Sequence, residues 1–542
     1  MLPGGEEIKE LLANFVTCHT IIVSYRALTP CLVLAVSLTL HAAAPCQTLA
    51  ALKLPSTTIQ LAQTVVAGGF APPSGPAALY KPLPAFCRVT GSIRPSSDSD
   101  IRFEVRMPES AWNGRFQGVG NGGYAGSLSL GAMAIPVVRG YATATTDTGH
   151  TGGDASWAAG HPEKVIDYGY RAVHEMTVTA KAVITAFYGS APKHSYFSSC
   201  SNGGRQALME AQRYPADYDG IIAGAPANDF THVVAGFAWN QLAILQEPGS
   251  YIPAAKMAAV EKAVLAACDG RDGLVDGVID NPPQCHFDPG TLLCTGAESD
   301  SCLTAPQLAA LRKIYSGPKT AQGKSIFPGF LPGGESGPGG WPSWINGAAP
   351  EKAAQFFFFN QMFANMVVEN PAWDYKTFRM ATDLPRIEQK LNPVLNATET
   401  NLGPFLARGG KLILYHGWCD AALTALNTID YYKKAVAKVG VKKADSSMRL
   451  YMVPGMQHCG GGPGPDQFWG LNGTTSDAQH DLTKAIEAWV EEGRAPAEIV
   501  ASKITGGKVM RTRPLCPYPQ LARYKGAGSV DDAANFACAA GR

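Results

Sequence analysis

The chain has 542 residues, of which 46% are hydrophobic and 16% are charged, and its formal net charge is +1. This length is enough for one large hydrophobic core and a second domain, and the composition is not that of a disordered chain or a coiled coil. The near-neutral charge argues against a nucleic-acid or other polyanionic partner.

The N-terminus has the pattern of a signal peptide. An apolar run over residues 28–40 follows Arg26 and precedes three alanines at 42–44. At about a dozen residues the run is too short to cross a bilayer. We therefore predict a signal peptide over residues 1–44, no membrane span after its removal, and a secreted or periplasmic protein.

Cysteine content agrees with export. The chain has 13 cysteines, and removal of Cys18 and Cys31 with the signal peptide leaves eleven, an odd number. Such a content is typical of an oxidising compartment, but sequence alone does not determine the pairing.

Strand and helix patterns alternate in the first part of the chain. Residues 102–107 alternate in polarity as a strand does, residues 141–145 form a second strand pattern, and residues 170–188 have helical spacing. This alternation predicts a mostly parallel sheet with helices on both faces.

A glycine-rich stretch follows the first of these strands. Five glycines between residues 118 and 126 permit close backbone approach, which suits either a phosphate or an oxyanion. No Lys-Ser or Lys-Thr pair follows, which argues against a phosphate loop. A position ahead of the nucleophile candidate favours the oxyanion role, and a plain hairpin loop is the alternative.

Residues 196–205, YFSSCSNGGR, have the plan of a nucleophile elbow. A short aromatic strand leads into Ser201 between small residues, and a helical pattern follows. Gly203 fills the second glycine position of such an elbow, whereas Ser199 stands where the first glycine is usual. An ordinary glycine and serine turn is therefore an open alternative.

Two later strand patterns end in an acid and a base. Residues 411–415 lead to Asp420, and residues 448–453 lead to His458. The order serine, aspartate, histidine, with the acid and the base just past strand ends, is that of α/β-hydrolases. His416 is the main rival of His458 as the base.

Cysteines flank the nucleophile and base candidates. Cys200 directly precedes Ser201, and Cys459 directly follows His458. A disulfide between these two cysteines would hold the serine and the histidine within hydrogen-bond reach.

The alternation stops after Pro226 and returns only at Lys411. Residues 228–400 are rich in glycine, proline and aromatic residues, and they lie between nucleophile and acid, where α/β-hydrolases often carry a lid. We predict a lid domain over residues 228–400, between hydrolase segments at 45–227 and 401–542.

Within the predicted lid, residues 268–280 contain four aspartates and three glycines. Ca²⁺ takes carboxylate and carbonyl oxygens on a tightly turning backbone, and this composition supplies both. From the pattern alone, a solvated acidic loop explains the same residues equally well.

The aromatic run at residues 356–359 either lines a substrate pocket or belongs to the core of the lid. Lys352 is the only cation between Ile345 and Asp374. A substrate with a free aromatic carboxylate would be expected to meet an arginine here. Because residues 345–374 contain none, the sequence favours a neutral acyl group.

Taken together, these motifs resemble the tannase and feruloyl esterase family, which includes esterases that cleave mono-hydroxyethyl terephthalate. The resemblance rests on Cys200-Ser201, Asp420 and His458-Cys459, and on residues 218–226, 416–417, 453–456 and 511–519. It covers roughly residues 46–540. It implies an α/β-hydrolase fold with a large lid inserted between nucleophile and acid, and a serine esterase with the triad Ser201, His458 and Asp420.

The same resemblance implies further site residues. The backbone N–H groups of Gly123 and Asn202 would form the oxyanion hole. A structural Ca²⁺ would be bound by the side chains of Asp269, Asp272 and Asp276 and by the carbonyls of Leu274 and Val278. Disulfides would join Cys46 to Cys87, Cys200 to Cys459, Cys268 to Cys285, Cys294 to Cys302, and Cys516 to Cys538, leaving Cys419 single.

Members of this family cleave several aromatic esters, and the resemblance does not rank these substrates well. We expect a feruloyl or other hydroxycinnamoyl esterase. A tannase acting on galloyl esters and a mono-hydroxyethyl terephthalate hydrolase are the alternatives, and an acyltransferase would use the same triad. A non-catalytic secreted binding protein is the alternative of a different class. The sequence does not indicate an oligomeric state.

Overall fold

Nine strands form one mixed sheet at the centre of the computed structural model, which describes residues 43–73, 75–470 and 474–541. The signal peptide predicted over residues 1–44 lies almost entirely outside the described residues. The strands are β1 (Thr57–Val65), β2 (Phe86–Ile93), β3 (Ile101–Pro108), β4 (Arg115–Val119), β5 (Ala142–Thr146), β6 (His194–Cys200), β7 (Gly220–Gly224), β8 (Lys411–Gly417) and β9 (Met448–Val453). Their spatial order is β1-β2-β3-β5-β4-β6-β7-β8-β9.

The type of strand pairing changes once across this sheet, from antiparallel to parallel. The pairings from β1 through β3 to β5 are antiparallel, and those from β5 through β4 to β9 are parallel. The parallel part contains β6, β8 and β9, so the carboxyl ends of all three meet at one edge of the sheet. The prediction of a mostly parallel sheet is confirmed.

Helices pack on both faces of the sheet because successive strand residues point to opposite sides. Phe197, Ile221 and Leu412 face a core that includes α3, α4 and α11, whereas Ile222 and Ile413 face α13. The helices are α1 (Ala134–Val138), α2 (Pro162–Ile166), α3 (Ala172–Tyr188), α4 (Asn202–Arg213), α5 (Phe230–Leu245), α6 (Met257–Cys268), α7 (Ala305–Ser316), α8 (Ala354–Gln361), α9 (Met380–Leu395), α10 (Gly403–Ala407), α11 (Ala425–Val439), α12 (Val441–Asp445) and α13 (Leu482–Glu492). None of the helices in the described ranges is long and apolar enough to cross a bilayer.

The chain between β7 and β8 contains α5 to α10, of which α5 to α9 lie within residues 228–400. Its apolar residues form two buried clusters, one built mainly from α5, α8 and α9 and one from α5, α6 and α7. The lid boundaries at residues 228 and 400 stay a prediction. What the structure shows is that this inserted segment, residues 228–400, has a hydrophobic interior largely separate from that of the sheet.

The C-terminal part forms two hairpins, β10 (Ile499–Thr505) with β11 (Lys508–Leu515) and β12 (Gln520–Tyr524) with β13 (Phe536–Ala540). The structure contains the five disulfides that the family resemblance implies. Cys419 is a free, buried thiol, and burial raises its pKa, so it stays protonated.

Candidate active site

Ser201 lies on a strained turn between β6 and α4. Its backbone φ is 64° and its ψ is −125°, an unusual conformation for a residue with a side chain. Three hydrogen bonds hold it: the Ser201 N–H donates to the Gly224 carbonyl at 3.0 Å, and the Ser201 carbonyl accepts from the Arg205 and Ala227 N–H groups. The predicted order of strand, tight turn and helix is therefore the local structure found.

The glycine at position 203 is required by close packing inside this elbow. A Cβ atom added to Gly203 would lie 1.9 Å from the Ser199 Oγ atom, and one added to Gly204 would lie 2.3 Å from the Gly224 carbonyl oxygen. The space over Gly203 is thus taken up by the hydroxyl of Ser199. This explains how the elbow accommodates serine where the first glycine is usual.

The three predicted triad residues form a continuous hydrogen-bonded chain. His458 Nε2 lies 2.9 Å from Ser201 Oγ, and His458 Nδ1 lies 2.8 Å from Asp420 Oδ2. Because a carboxylate only accepts, Nδ1 carries the proton that is donated to Asp420, and Nε2 is free to accept from the serine hydroxyl. This arrangement can activate Ser201 as a nucleophile.

Asp420 is buried but ionised. Burial alone would raise its pKa, but the charges and hydrogen bonds of His458 and His416 hold the pKa well below its ordinary value. Its second oxygen accepts the backbone N–H groups of Ala422 and Leu423, both at 2.8 Å. The carboxylate is therefore fixed in position and available to stabilise a protonated His458.

His416, the rival base considered in the sequence analysis, contacts the same carboxylate oxygen of Asp420 as His458 does. It is fully buried, with Nδ1 2.8 Å from Thr428 Oγ1 and Nε2 3.0 Å from the Leu423 carbonyl oxygen. The same Nε2 lies 3.1 Å from Asp420 Oδ2. The contacts of His416 position the carboxylate, and the hydroxyl of Ser201 is bonded to His458.

A disulfide joins the neighbours of the nucleophile and the base. Cys200 and Cys459 are bonded, with Cα atoms 6.0 Å apart and 259 positions between them in sequence. Cys459, like Ser201, is a non-glycine residue with positive φ, at 62°. The two strained turns that present the serine and the histidine are therefore covalently connected.

Gly123 and Asn202 lie against the same cavity as Ser201 and His458. Asn202 is the first residue of α4, where the N–H group has no acceptor within the helix. Within the described residues, neither the Gly123 nor the Asn202 amide donates a hydrogen bond. Both N–H groups are thus available to a developing oxyanion.

Two residues that the sequence analysis did not assign hold the glycine-rich loop, at Gly123, against the elbow. The Tyr168 hydroxyl lies 3.0 Å from the Gly123 carbonyl oxygen and 3.2 Å from Asn202 Oδ1. Arg205 is fully buried and donates from Nε to the same Asn202 oxygen at 2.8 Å. No local pattern marks Tyr168, because its partners are 45 and 34 positions away in the chain.

A cavity of about 60 Å³ opens beside Ser201. Its walls are apolar apart from the triad and oxyanion residues, and they come largely from the inserted segment. The lining residues are Gly123, Ser201, Asn202, Ala227, Phe230, Val233, Val234, Phe237, Trp344, Phe358, Ala422, Leu423 and His458. This lining contains no lysine or arginine.

The phenylalanine run divides between the two roles considered for it. Phe358 lines the cavity, and its ring would lie 3.3 Å from a Cβ atom placed on Gly123. The next residue, Phe359, is fully buried among Phe363, Trp373 and Phe378. Adjacent residues of a helix are about 100° apart, so one helix supplies both pocket wall and core.

The acidic loop turns its carboxylates toward its own backbone. Asp269 accepts the Gly277 N–H at 3.0 Å, and Asp272 accepts the Leu274 N–H at 2.9 Å. Burial, together with the nearby charges of Asp276 and Asp269, raises the pKa of Asp272. Hard oxygen donors whose charges oppose one another fit a Ca²⁺ ion.

Arg513, from β11, partly balances the charge of this loop. Its guanidinium donates to Asp276 Oδ2 at 2.6 Å and is only 2% exposed. The tail segment at residues 511–519 therefore contacts the acidic loop directly, which the sequence pattern did not indicate.

Comparison with known proteins identifies the family of this chain. Residues 87–539 match the family described as tannase and feruloyl esterase. The chain is 44% identical to a protein named as an uncharacterized esterase of Xanthomonas campestris pv. campestris, covering 92% of each. It is 35% identical to the mono(2-hydroxyethyl) terephthalate hydrolase of Piscinibacter sakaiensis, covering 84% of this chain and 85% of that protein.

Among solved structures, feruloyl esterase B from Aspergillus oryzae superposes with a TM-score of 0.84 at 29% identity, covering 91% of this chain and 99% of that one. The predicted α/β-hydrolase fold is confirmed.

Proposed function

We propose a reaction and a substrate class for this chain, which belongs to the tannase and feruloyl esterase family and is an esterase. In this proposal the protein hydrolyses esters of aromatic acids, preferentially feruloyl and other hydroxycinnamoyl esters, through an acyl-enzyme formed on Ser201. The observation that carries the proposal is the contact of 2.9 Å between Ser201 Oγ and His458 Nε2 beside an apolar cavity.

In this mechanism the Ser201 oxygen attacks the ester carbonyl while its proton moves to His458 Nε2. Asp420 stabilises the imidazolium. The N–H groups of Gly123 and Asn202 bind the oxyanion, and loss of one such donor typically costs about 2.7–4 kcal/mol of barrier. His458 then protonates the leaving alcohol, and water repeats the sequence to release the acid.

The lining of the cavity supports a neutral acyl group. A carboxylate placed among Phe230, Val234 and Phe237 would lose its hydration without gaining a cation. Lys352 is exposed and does not line the cavity. A terephthalate monoester carries such a carboxylate, so it is the second candidate despite the 35% identity to a relative that is named for it.

Ser201→Ala tests the reaction class. We expect the variant to lose turnover of a p-nitrophenyl ester while it keeps its fold, because the nucleophile is gone. Ser198→Ala, on the same strand three residues earlier, is the matched control and should retain activity. Undiminished turnover in Ser201→Ala would reject the acyl-enzyme, and a folded wild-type protein with no esterase turnover would favour a binding protein.

The substrate class is tested with pairs of esters that differ in charge. We expect kcat/KM for bis(2-hydroxyethyl) terephthalate to exceed that for the mono ester, because the neutral ester keeps the shape and lacks the carboxylate. Methyl ferulate and methyl gallate, assayed alongside, compare the hydroxycinnamoyl and galloyl groups. Faster cleavage of the charged monoester would overturn the preference for a neutral acyl group. Product analysis with added alcohol separates hydrolysis from acyl transfer.

A structural Ca²⁺ is part of the same proposal, held by Asp269, Asp272 and Asp276 side chains and by the Leu274 and Val278 carbonyls. When bound, the ion neutralises carboxylates that otherwise repel one another. We expect EGTA to lower the thermal midpoint and added Ca²⁺ to restore it. Asp272→Asn should respond less than wild type, and an unchanged midpoint in EGTA would reject the site.

Export is also proposed, supported by five disulfides in the described residues. N-terminal sequencing of the mature protein from the periplasm or medium should find a start close to residue 45. A protein recovered only from the cytoplasm with residue 1 intact would contradict this.

A further inference from the structure

A group of three metal-ligating side chains lies outside the active site. His174 on α3, Glu210 on α4 and Asp217 in the turn before β7 place one ligand atom each within 4.8 Å of one another. In the described ranges this is the one set of three His, Cys, Asp or Glu residues that meets that distance. Glu210 follows Ser201 by nine positions, about 13 Å along the helix at 1.5 Å per residue. The group is therefore separate from the triad.

Glu210 is the unusual member of the group. Its side chain is 1% exposed, and neither carboxylate oxygen accepts a hydrogen bond from a donor in the described part of the chain. Lys181 is the nearby cation, but its ammonium donates to the main-chain carbonyl of Asp217 and pairs with neither carboxylate. A buried carboxylate facing a second carboxylate requires either a proton or a cation between them.

The remaining two side chains are arranged as ligands. His174 Nδ1 lies 2.7 Å from Asp217 Oδ2, and the imidazole stacks on Tyr214 with ring centroids 3.8 Å apart, which fixes its orientation. The His174 side chain is 28% exposed, so an ion and a water ligand have access from solvent. The group thus offers one nitrogen and two oxygen ligands with an open position.

We propose that His174, Glu210 and Asp217 bind a divalent transition-metal ion. One imidazole and two carboxylates suit Zn²⁺, which takes His nitrogen and carboxylate oxygen at about 2.0–2.2 Å. The ion ties α3, α4 and the turn before β7 together behind the nucleophile helix. Its role is structural, because the ligands lie far along α4 from the reacting hydroxyl.

A shared proton is the competing arrangement, and Glu210→Gln separates the two. The glutamine amide keeps the size of the side chain and can donate to Asp217 as a protonated carboxyl would, but it is a poor metal ligand. If only a proton is shared, the variant should be as stable as wild type and insensitive to Zn²⁺. If a metal binds, the variant loses it.

The experiment uses the full mature chain, with Ca²⁺ kept in all buffers so that the acidic loop does not respond. After treatment with a Zn²⁺ chelator and dialysis, Zn²⁺ is titrated while thermal midpoint and bound metal per chain are measured. We expect one equivalent of Zn²⁺ and a raised midpoint in wild type, and loss of both in Glu210→Gln and His174→Gln. His480→Gln, which alters a partly exposed histidine paired with Asp477, is the matched control and should bind as wild type does.

Co²⁺ substitution in wild type gives a readout that depends on no variant. A d–d absorption band that saturates at one equivalent and disappears on adding Zn²⁺ supports the site. The proposal is overturned if wild type binds no stoichiometric Zn²⁺ or Co²⁺, or if Glu210→Gln still binds one equivalent of metal per chain.

Discussion

The disulfide between Cys200 and Cys459 should contribute more to stability than the other bridges and should also affect turnover. It closes a loop of 259 positions, whereas Cys294 and Cys302 are only eight apart. In the chain-entropy description, cross-links of these sizes are worth about 5.5 and about 2.5 kcal/mol respectively. The double variant Cys200→Ala/Cys459→Ala should therefore unfold at lower denaturant than Cys294→Ala/Cys302→Ala, with the difference close to 3 kcal/mol.

Turnover distinguishes a positioning role from a purely stabilising one. Without the bridge, the contact of Ser201 with His458 depends on one hydrogen bond worth about 0.5–1.5 kcal/mol. We expect kcat for a p-nitrophenyl ester to fall at least tenfold in the first double variant and to stay within about twofold in the control. The assay is run well below both unfolding midpoints, with folding verified by circular dichroism. Equal kcat in the two double variants would refute the reasoning.

Three further predictions test the elbow, the glycine-rich loop at Gly123 and the dependence of stability on pH. Gly203→Ala should abolish activity because its Cβ would meet the Ser199 hydroxyl at 1.9 Å, and adding Ser199→Gly should restore part of it; absence of rescue would place the obstruction elsewhere. Tyr168→Phe should lower kcat up to about tenfold at unchanged KM, since it removes one hydrogen bond of about 0.5–1.5 kcal/mol, whereas the neighbouring Tyr170→Phe should not; equal kinetics in both variants would contradict this. Burial lowers the pKa of His150 to about 4, so the unfolded chain takes up a proton between pH 6.5 and 4 that the folded chain does not. The free energy of unfolding should fall by about 3 kcal/mol as the pH falls through that window. In His150→Gln, the free energy of unfolding measured by chemical denaturation should depend correspondingly less on pH. The same pH dependence in both proteins would rule out His150 as the cause.

The three triad candidates could be placed together from the sequence because each follows a strand pattern. Ser201 comes directly after β6, and Asp420 and His458 lie within five residues of the ends of β8 and β9. The carboxyl ends of parallel strands meet at one edge of a sheet. Their proximity thus follows from local patterns and strand direction. The proposed calcium ligands, by contrast, rest on family resemblance, since an acidic loop has no unique interpretation.

Features that depend on packing between remote elements could not be read from the sequence. Phe358 lines the cavity and Phe359 lies in the core because of how α8 is rotated against α5. No local pattern in the sequence encodes that rotation. Tyr168 and Glu210 gain their significance only from partners that other elements bring to them. Hydrophobic periodicity identifies an element and its buried face, but not the polar atom that will meet it.

The salt bridge between Arg513 and Asp276 has a consequence for biosynthesis. Its two partners are 237 positions apart. At about 5–20 residues per second, a ribosome synthesises the acidic loop roughly 10–50 s before it reaches Arg513. The charge of the acidic loop is therefore balanced by Arg513 only after the intervening chain has been made.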